Sequence, residues 1–412
     1  MKQVDLNENL ISVRKARKIM LESLNHFKTS SEQLNFKNAE NRILAENIIS
    51  KINIPEYDNS AVDGYAINFN SLKKNNFFKV VGESRPGKPF DKKLKIGEAI
   101  IIYTGSYILN KNNIDTVCYE ENCKLKDNSL EIREKPIKGS NIRKKGEDVK
   151  KNEIVFKKGR KVRTVDLAQM SSLGLKNVKV FKKKRIGVFS SGNEISSSLT
   201  KNQYKIYDAN KLVLLALIKK IGCEAEDLGI LEDNLERTKK YIFNNLNKFD
   251  LIITSGGVSK SKIDKIGSFF SSYGKISFWR LALKPGRPFA FGKIKKVPFI
   301  GLPGNPVAAI VTFLMLVTDY LKKFSGSNPP FNIARILPTN FEMKKKVGRT
   351  EWLRGYIKEG RGKQFLERFK NSGSGIISSI SKTDGIIEIE ANKSFIKKGT
   401  MLKFFKYEDL LN

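Results

Sequence analysis

Residues 183–324 constrain the fold more than any other stretch. Short apolar strands alternate there with helices of roughly 12 to 20 residues, the pattern of an open α/β sheet. An apolar strand is expected at 186–190, ending in the loop Ser191-Gly192-Asn193-Glu194. Asp208 is placed to cap a helix that runs to Ile221 and closes on Gly222. A strand near 224–230 follows, then a loop holding Asp233, then a helix to about 247. The apolar run 250–254 leads into Ser255-Gly256-Gly257. Strands at 278–283 and 297–302 and a helix over 305–324 complete the unit.

The chain has 412 residues, and at about 150 per domain that predicts two to four domains. Residues 1–50 read as helical, with Ser12 as N-cap, and His26 lies on that helix. A second helical piece, TVDLAQMSSLGL, has Thr164 as its N-cap and stops near Gly174. Packed together, the two make one discontinuous helical linker domain of 1–50 and 148–182. Between them, 51–147 shows short strands and turns at close intervals, a β-rich domain. Beyond Gly326, Pro329 and Pro330 mark a linker, and 325–412 reads as a small β-barrel.

Composition narrows the chemistry. A single His excludes a multi-His metal site, and Cys118, Cys123 and Cys223 form neither a CxxC pair nor a secreted disulfide framework. The apolar stretch 307–317 is too short for a bilayer, which needs about 20 residues, so a cytoplasmic protein with no membrane partner is expected. The net charge is +35, yet the lysines are diffuse. No zinc finger or aromatic-interleaved basic motif accompanies them, so no nucleic-acid partner is expected.

Ligands of an open α/β sheet bind beyond the carboxyl ends of its strands. Three loops stand at such ends: Ser191-Gly192-Asn193-Glu194, Ser255-Gly256-Gly257-Val258-Ser259, and Leu302-Pro303-Gly304-Asn305-Pro306. Glycines turn backbone N–H groups toward an anion, and the helix after Pro306 adds about half a positive charge at its N-terminus. Each loop alone could be only a turn; three at one edge suit a phosphate-bearing ligand. Lys284-Pro285-Gly286-Arg287-Pro288 adds two cations on a stiff turn. Glu194, Asp233 and Asp264 follow strands of the same unit and could hold Mg²⁺ against phosphates, although Asp is equally common as a helix cap. Asp63, in Ser60-Ala61-Val62-Asp63-Gly64-Tyr65-Ala66, stands outside this unit.

In order along the chain, SAVDGYA (60–66), YTGS (103–106), GEDV (146–149), SSGNE (190–194), DLG (227–229) with Asp233, SGGVS (255–259) with Asp264, KPGRP (284–288) and LPGNP (302–306) resemble the molybdopterin molybdenumtransferases. This is the MoeA family, which includes the E domain of gephyrin. The resemblance implies a helical linker domain, a β-rich domain, an α/β molybdopterin-binding domain and a C-terminal β-barrel. It also implies an elongated homodimer whose site is shared between subunits. The implied reaction takes adenylylated molybdopterin and molybdate, with Mg²⁺, releases AMP and inserts molybdenum into the dithiolene. A molybdopterin adenylyltransferase is the implied upstream partner.

By the same resemblance Asp63, Thr104, Glu194, Asp233 and Asp264 are catalytic, the last three holding the metal. Gly192, Ser255, Gly256, Gly257, Ser259, Pro303, Gly304, Asn305 and Pro306 bind substrate. Lys284, Arg287 and Arg349 would hold molybdate or phosphate. The chain departs from the family at Asn193, where an acid is usual, at Lys260, Ser261 and Lys262, and at Ala308, where Ser is common. Three other readings compete: an adenylyltransferase on the same α/β fold, which is ordinarily a single short domain; a non-enzymatic scaffold, which needs no acid set; and charge-driven nucleic-acid binding.

Overall fold

The computed structural model describes residues 10–192, 194–196, 204–231, 234–258, 269–270, 272–328, 333–360, 362–371 and 373–411. Its centre is a six-stranded sheet in the order 224–231, 185–191, 251–255, 297–302, 288–294, 274–280. The first four strands are parallel and the last two antiparallel. Residues alternate across it with period two. Ile186, Val188, Leu251, Ile253, Ile300 and Leu302 face one core, while Phe189, Ile252 and Phe299 face the other. A strand buried on both faces reads as a continuous apolar run, which is why the parallel strands are visible in the sequence.

The first helix, α1 (Val13–Glu22), is capped by Ser12, whose Oγ accepts from Lys15 N at 3.2 Å. His26 ends the 3₁₀ turn that follows. Helix α1 does not pack on the second helical segment, as the sequence suggests. Val13, Ala16 and Met20 enter the core of the α/β unit, and Arg17 Nη2 donates to Met315 O at 2.8 Å. What joins 31–50 to 148–182 is strand pairing. Ser31–Asn35 runs antiparallel to Asn177–Phe181, and Ile48–Ile49 pairs with Ile154–Phe156. Helix α2 (Asp166–Ser172) packs over these strands through Met170.

Thr164 does not cap α2; its hydroxyl donates to Glu40. No side chain caps the helix; Asp166, its first residue, accepts instead from Arg163 N, ahead of the helix, at 3.0 Å. Arg160 and Arg163 also reach Asp166 Oδ1, each at 2.8 Å. Burial pushes the Asp166 carboxyl up, but the two guanidinium groups outweigh it and hold the carboxyl far below its usual range. Because the folded-state pKa is depressed, this stabilisation is complete above the unfolded value and is lost as pH falls toward the folded one. Asp166→Asn is expected to destabilise the protein by about 3 kcal/mol at pH 7. The difference from wild type should shrink in denaturant melts as the pH drops below about 4.

In the α/β unit, α3 (Ala209–Ile221) starts on Asp208, which accepts from the N–H groups of Asn210 and Lys211, and it stops on Gly222 at φ 102°. Helix α4 (Leu235–Asn245) covers the opposite face through Ile242. A continuous helical run closes the unit: α5 (Pro306–Thr312), a π turn (Phe313–Val317) and α6 (Thr318–Phe324). No helix among the described residues is long and apolar enough to cross a membrane.

The β-rich unit is a six-stranded sheet in which Gly64–Ile67 lies between Glu98–Ile102 and Thr116–Tyr119. In the C-terminal unit the order is 283–284, 350–360, 385–389, 401–406, 335–338, with 363–368 added on 350–360. Asn340 N donates to Leu366 O at 2.8 Å, so the pairing returns from 335–340 to the 363–368 strand. Trp352, Ile386 and Phe405 of this unit join the α/β core.

Candidate functional site

Register places the three glycine loops together. Ser190 pairs with Ser255, and Ser255 with Leu302, so SSGNE, SGGVS and LPGNP leave adjacent strands at one level of one edge. Leu231, opposite Ser191, brings a fourth strand end to that edge. The loops touch. Gly256 N donates to Leu302 O at 3.1 Å, and a Cβ on Gly256 would lie 2.5 Å from Ser191 O and 3.9 Å from Gly304 Cα. Gly256 and Gly257 have φ of 85° and 72°, the left-handed region that glycine enters without a steric penalty.

Residues not singled out in the sequence hold the loops in place. Asn210, 6% exposed, donates through Nδ2 to Ser255 Oγ and to Gly304 O, both at 2.7 Å. It ties two loops to the start of α3. Ser190 Oγ donates to Asp208 Oδ2 at 2.6 Å, and Lys211 Nζ lies 3.0 Å from Asp227 Oδ1. Trp279 Nε1 donates to Val258 O at 3.0 Å, fixing the SGGV segment from the far side of the sheet.

The start of α5 differs from expectation. Pro306 occupies the first turn as predicted, but Asn305 makes no side-chain cap. Asn305 Nδ2 donates to Ser374 Oγ at 3.0 Å, and Val307 N donates to Ser374 O at 3.1 Å. First-turn N–H groups need acceptors, and the C-terminal unit supplies one, so that donor is not offered to a ligand. Pro303 is buried beneath this turn, while Gly304 and Asn305 are exposed. Ala308 is buried, and its carbonyl accepts from Thr312 Oγ1 at 2.7 Å.

The cations gather at the junction with the C-terminal unit. Leu283–Lys284 pairs in parallel with Thr350–Glu351, and Lys284 Nζ lies 3.5 Å from Glu351 Oε2. Glu351 is only 3% exposed. Burial lowers the Lys345 ammonium pKa; Glu351 opposes this, and the nearby charges of Arg349 and Lys284 reinforce it. Lys284 pairs with that carboxylate, while Lys345 Nζ donates to the carbonyls of Glu390, Ala391 and Lys393. The positive charges of Lys284, Lys345 and Arg349 near one buried carboxylate suit an oxyanion. Gly286, at φ 103°, seats the KPGRP turn on Thr312 of α5. Arg287 is exposed, and its carbonyl accepts from Leu281 N.

Asp63 and Thr104 meet in the β-rich unit. Asp63 precedes Gly64, which pairs with Ile102 two residues before Thr104. Thr104 donates to Asp63 Oδ1 through N at 2.6 Å and through Oγ1 at 2.8 Å. The backbone bond first, then the hydroxyl, hold the carboxyl below its usual range. Both residues are exposed.

Glu194 is exposed at the loop edge, and a Cβ on Gly192 would lie 2.6 Å from its Oε2. Asn193, Asp233, Ser259, Lys260, Ser261, Lys262 and Asp264 lie outside the described residues. Among the described residues no three His, Cys, Asp or Glu side chains form a metal cluster. Glu194 is a hard oxygen donor beside loops of backbone amides and hydroxyls, a donor set that fits Mg²⁺ rather than a soft metal.

The match to known proteins runs the length of this architecture. The MoeA N-terminal region (domain I and II) matches residues 11–174, a probable molybdopterin binding domain matches 187–323, and the MoeA C-terminal region (domain IV) matches 337–406. A molybdopterin molybdenumtransferase of Haemophilus influenzae is 37% identical over 98% of this chain and 100% of its own length. One from Staphylococcus aureus is 30% identical over 70% of each chain. The crystal structure of a molybdopterin biosynthesis MoeA protein from Pyrococcus horikoshii superposes with a TM-score of 0.85 at 26% identity, covering 97% of this chain and 100% of that one. With all three MoeA regions in order on this fold, the chain belongs to the MoeA family of molybdopterin molybdenumtransferases and is a transferase.

Proposed function

We propose that this enzyme inserts molybdate into adenylylated molybdopterin with release of AMP, in a Mg²⁺-dependent reaction of molybdenum cofactor biosynthesis. The observation that carries this reading is the alignment of Ser190, Ser255 and Leu302, which puts three amide-rich loops at one edge. Those loops would cradle the diphosphate link and the pterin phosphate. Lys284, Arg287 and Arg349, joined by Lys345, would hold molybdate, a tetrahedral dianion. Glu194, with Asp233 and Asp264 from neighbouring loops, would hold Mg²⁺, which when bound neutralises charge building on the diphosphate. Water adds to phosphorus in line as the bond from that phosphorus to the bridging oxygen breaks. Its oxygen stays on the attacked phosphate, and its protons pass to the two phosphate products and solvent. The two dithiolene sulfurs bond molybdenum as one molybdate oxygen leaves as water with both thiol protons. Asp63, kept ionised by Thr104, acts as an acceptor rather than as an acid.

The exposed Asp63–Thr104 pair bonds within its own unit. That supports a homodimer in which it completes the partner's α/β site. The returning strand pairing of the C-terminal unit supports reading it as a barrel. A molybdopterin adenylyltransferase would deliver the substrate, and the reaction would take place in the cytoplasm without nucleic acid.

The test is AMP release from adenylylated molybdopterin by the purified protein with Mg²⁺. Release is expected only when molybdate is added, with simultaneous appearance of molybdenum in the pterin fraction. Molybdate-independent release would refute the coupling. Formation of adenylylated molybdopterin from molybdopterin and ATP would instead make the protein an adenylyltransferase.

A further inference from the structure

A cavity of about 440 Å³ opens where the paired-strand unit meets the α/β unit, away from the glycine loops. Its wall includes Lys157, Lys158, Arg160, Lys161, Lys322 and Asn328, and no carboxylate lines it. Most of these cations are already engaged. Lys158 Nζ sits 5.7 Å over the Phe181 ring, Arg160 is paired with Asp166, and Lys322 Nζ donates to Leu410 O at 2.9 Å. Lys161 differs. It is half-buried, and no hydrogen bond or ion pair reaches its ammonium among the described residues. Burial and then the charge of Lys220 lower its pKa; Lys322 is lowered by burial and by Lys161, with Asp319 opposing.

Helix C-termini draw cations, and α3 and α6 both end near this cavity. Several of their C-terminal carbonyls already have donors, however. Gly222 N and Cys223 N serve α3, and Ser325 N and Gly326 N serve α6. With no carboxylate among the described residues of its wall, the cavity keeps an excess of positive charge. A half-buried charge without a partner is costly, and Lys161, beside Lys322 in that wall, asks for an anion. Asn328 adds a neutral amide donor. A Cβ on Gly159 would lie 3.0 Å from Asn328 Nδ2, so glycine there leaves that amide room.

We propose that this cavity binds a multiply charged phosphate group, with Lys161 and Lys322 as its charge partners and Asn328 as a neutral donor. The inference does not depend on the reaction proposed above.

Inorganic pyrophosphate and ADP are the probes, titrated without Mg²⁺ at about 150 mM salt, where diffuse surface attraction is screened. The full chain carries Lys284→Met and Arg287→Met to empty the oxyanion cluster. Because the glycine loops would also take these probes, binding at the cavity is read from hydrogen exchange at 157–161 and 322–328 alone. Exchange in these segments is expected to slow with ligand. Lys161→Met is expected to weaken binding at least tenfold while melting no lower than its parent without ligand, because it removes an unpaired charge and keeps the stem. Asn328→Asp is expected to lose binding similarly and carries the test should Lys161→Met fail to fold. Tighter ADP than pyrophosphate binding would assign a nucleotide; equal binding would assign the phosphate group alone. The proposal is overturned if neither segment is protected at about 10 mM probe. It is also overturned if Lys161→Met binds as its parent does, or if Lys88→Met, outside the cavity, loses as much.

Discussion

Mixing two inactive variants, Asp63→Ala and Asp264→Ala, is expected to restore activity. Each homodimer alone should fall by at least a hundredfold in molybdate-dependent AMP release, the scale of losing a positioned catalytic group. Asp63 and Thr104 satisfy each other at the surface of the β-rich sheet, and no described contact joins them to the glycine loops of the same chain. If the partner chain completes each site, a heterodimer has one pocket with both changes and one with neither. Random reassembly makes half of all dimers heterodimers, so about a quarter of wild-type activity should return in a symmetric pair. If each site were built from one chain, every pocket in the mixture would carry one change and no activity would return. Separated mixtures that are never dissociated give the baseline, and AMP release after dissociation and reassembly gives the answer. Thr104→Val should produce a smaller loss, and should raise the pH below which activity falls, because the Thr104 hydroxyl helps hold the Asp63 carboxyl down.

What the sequence reveals of this molecule depends on how local the physics is. Asp208 and Gly222 bracket α3 because a cap and a left-handed stop act within a turn of the residues they serve. Pro306 marks the first turn of α5 for the same reason. The motif strings likewise stand where chain geometry needs them, at strand ends. The hairpin of 288–294 with 297–302 is harder to see. Its turn places Lys295, not Gly or Asn, at φ 51°, so the usual turn signal is missing. The pairing of 31–35 with 177–181 joins segments some 145 residues apart, and neither carries a mark of the other. Helix α1 shows an apolar face, but which core that face enters is decided by tertiary contact.

At the site the same division holds. Gly256, Gly304 and Lys284 are readable because they stand in glycine-rich or proline-stiffened turns at strand ends, whereas Arg349 comes only with the family resemblance. Asn210, Lys345, Glu351 and Ser374 act through partners distant in sequence. Asn210 could have been noticed as a polar residue on the apolar face of a capped helix. Ser374, within a Gly/Ser-rich stretch, could have been noticed as loop material too small to pack. Neither clue names the partner: the bond to Gly304 exists only once α3 packs on the sheet edge of its own unit, and the bond to Asn305 only once the C-terminal unit docks.

Gly256→Ala is expected to cost both stability and activity, and comparison with Gly304→Ala separates the two effects. The added methyl at position 256 meets the Ser191 carbonyl oxygen at 2.5 Å, with the backbone at φ 85°. The left-handed conformation costs about 1 kcal/mol for alanine, and relieving the contact about 1–3 kcal/mol more. Ser191 cannot retreat cheaply, because its strand is paired on both sides. The SGG loop must move instead, stretching the bond from Gly256 N to Leu302 O and carrying its amides away from the phosphate position. A displacement near 1 Å lowers turnover about a hundredfold. At position 304 the nearest atom to a new methyl is Gly256 Cα at 3.6 Å, an ordinary contact, and no positive φ is involved. Gly304→Ala should therefore melt within about 0.5 kcal/mol of wild type and keep most of its AMP release. Both variants are assayed well below their melting temperatures, so that lost activity is not lost protein. Wild-type turnover in folded Gly256→Ala would mean that these loops do not grip the substrate, and the reading built on their alignment would fail with it.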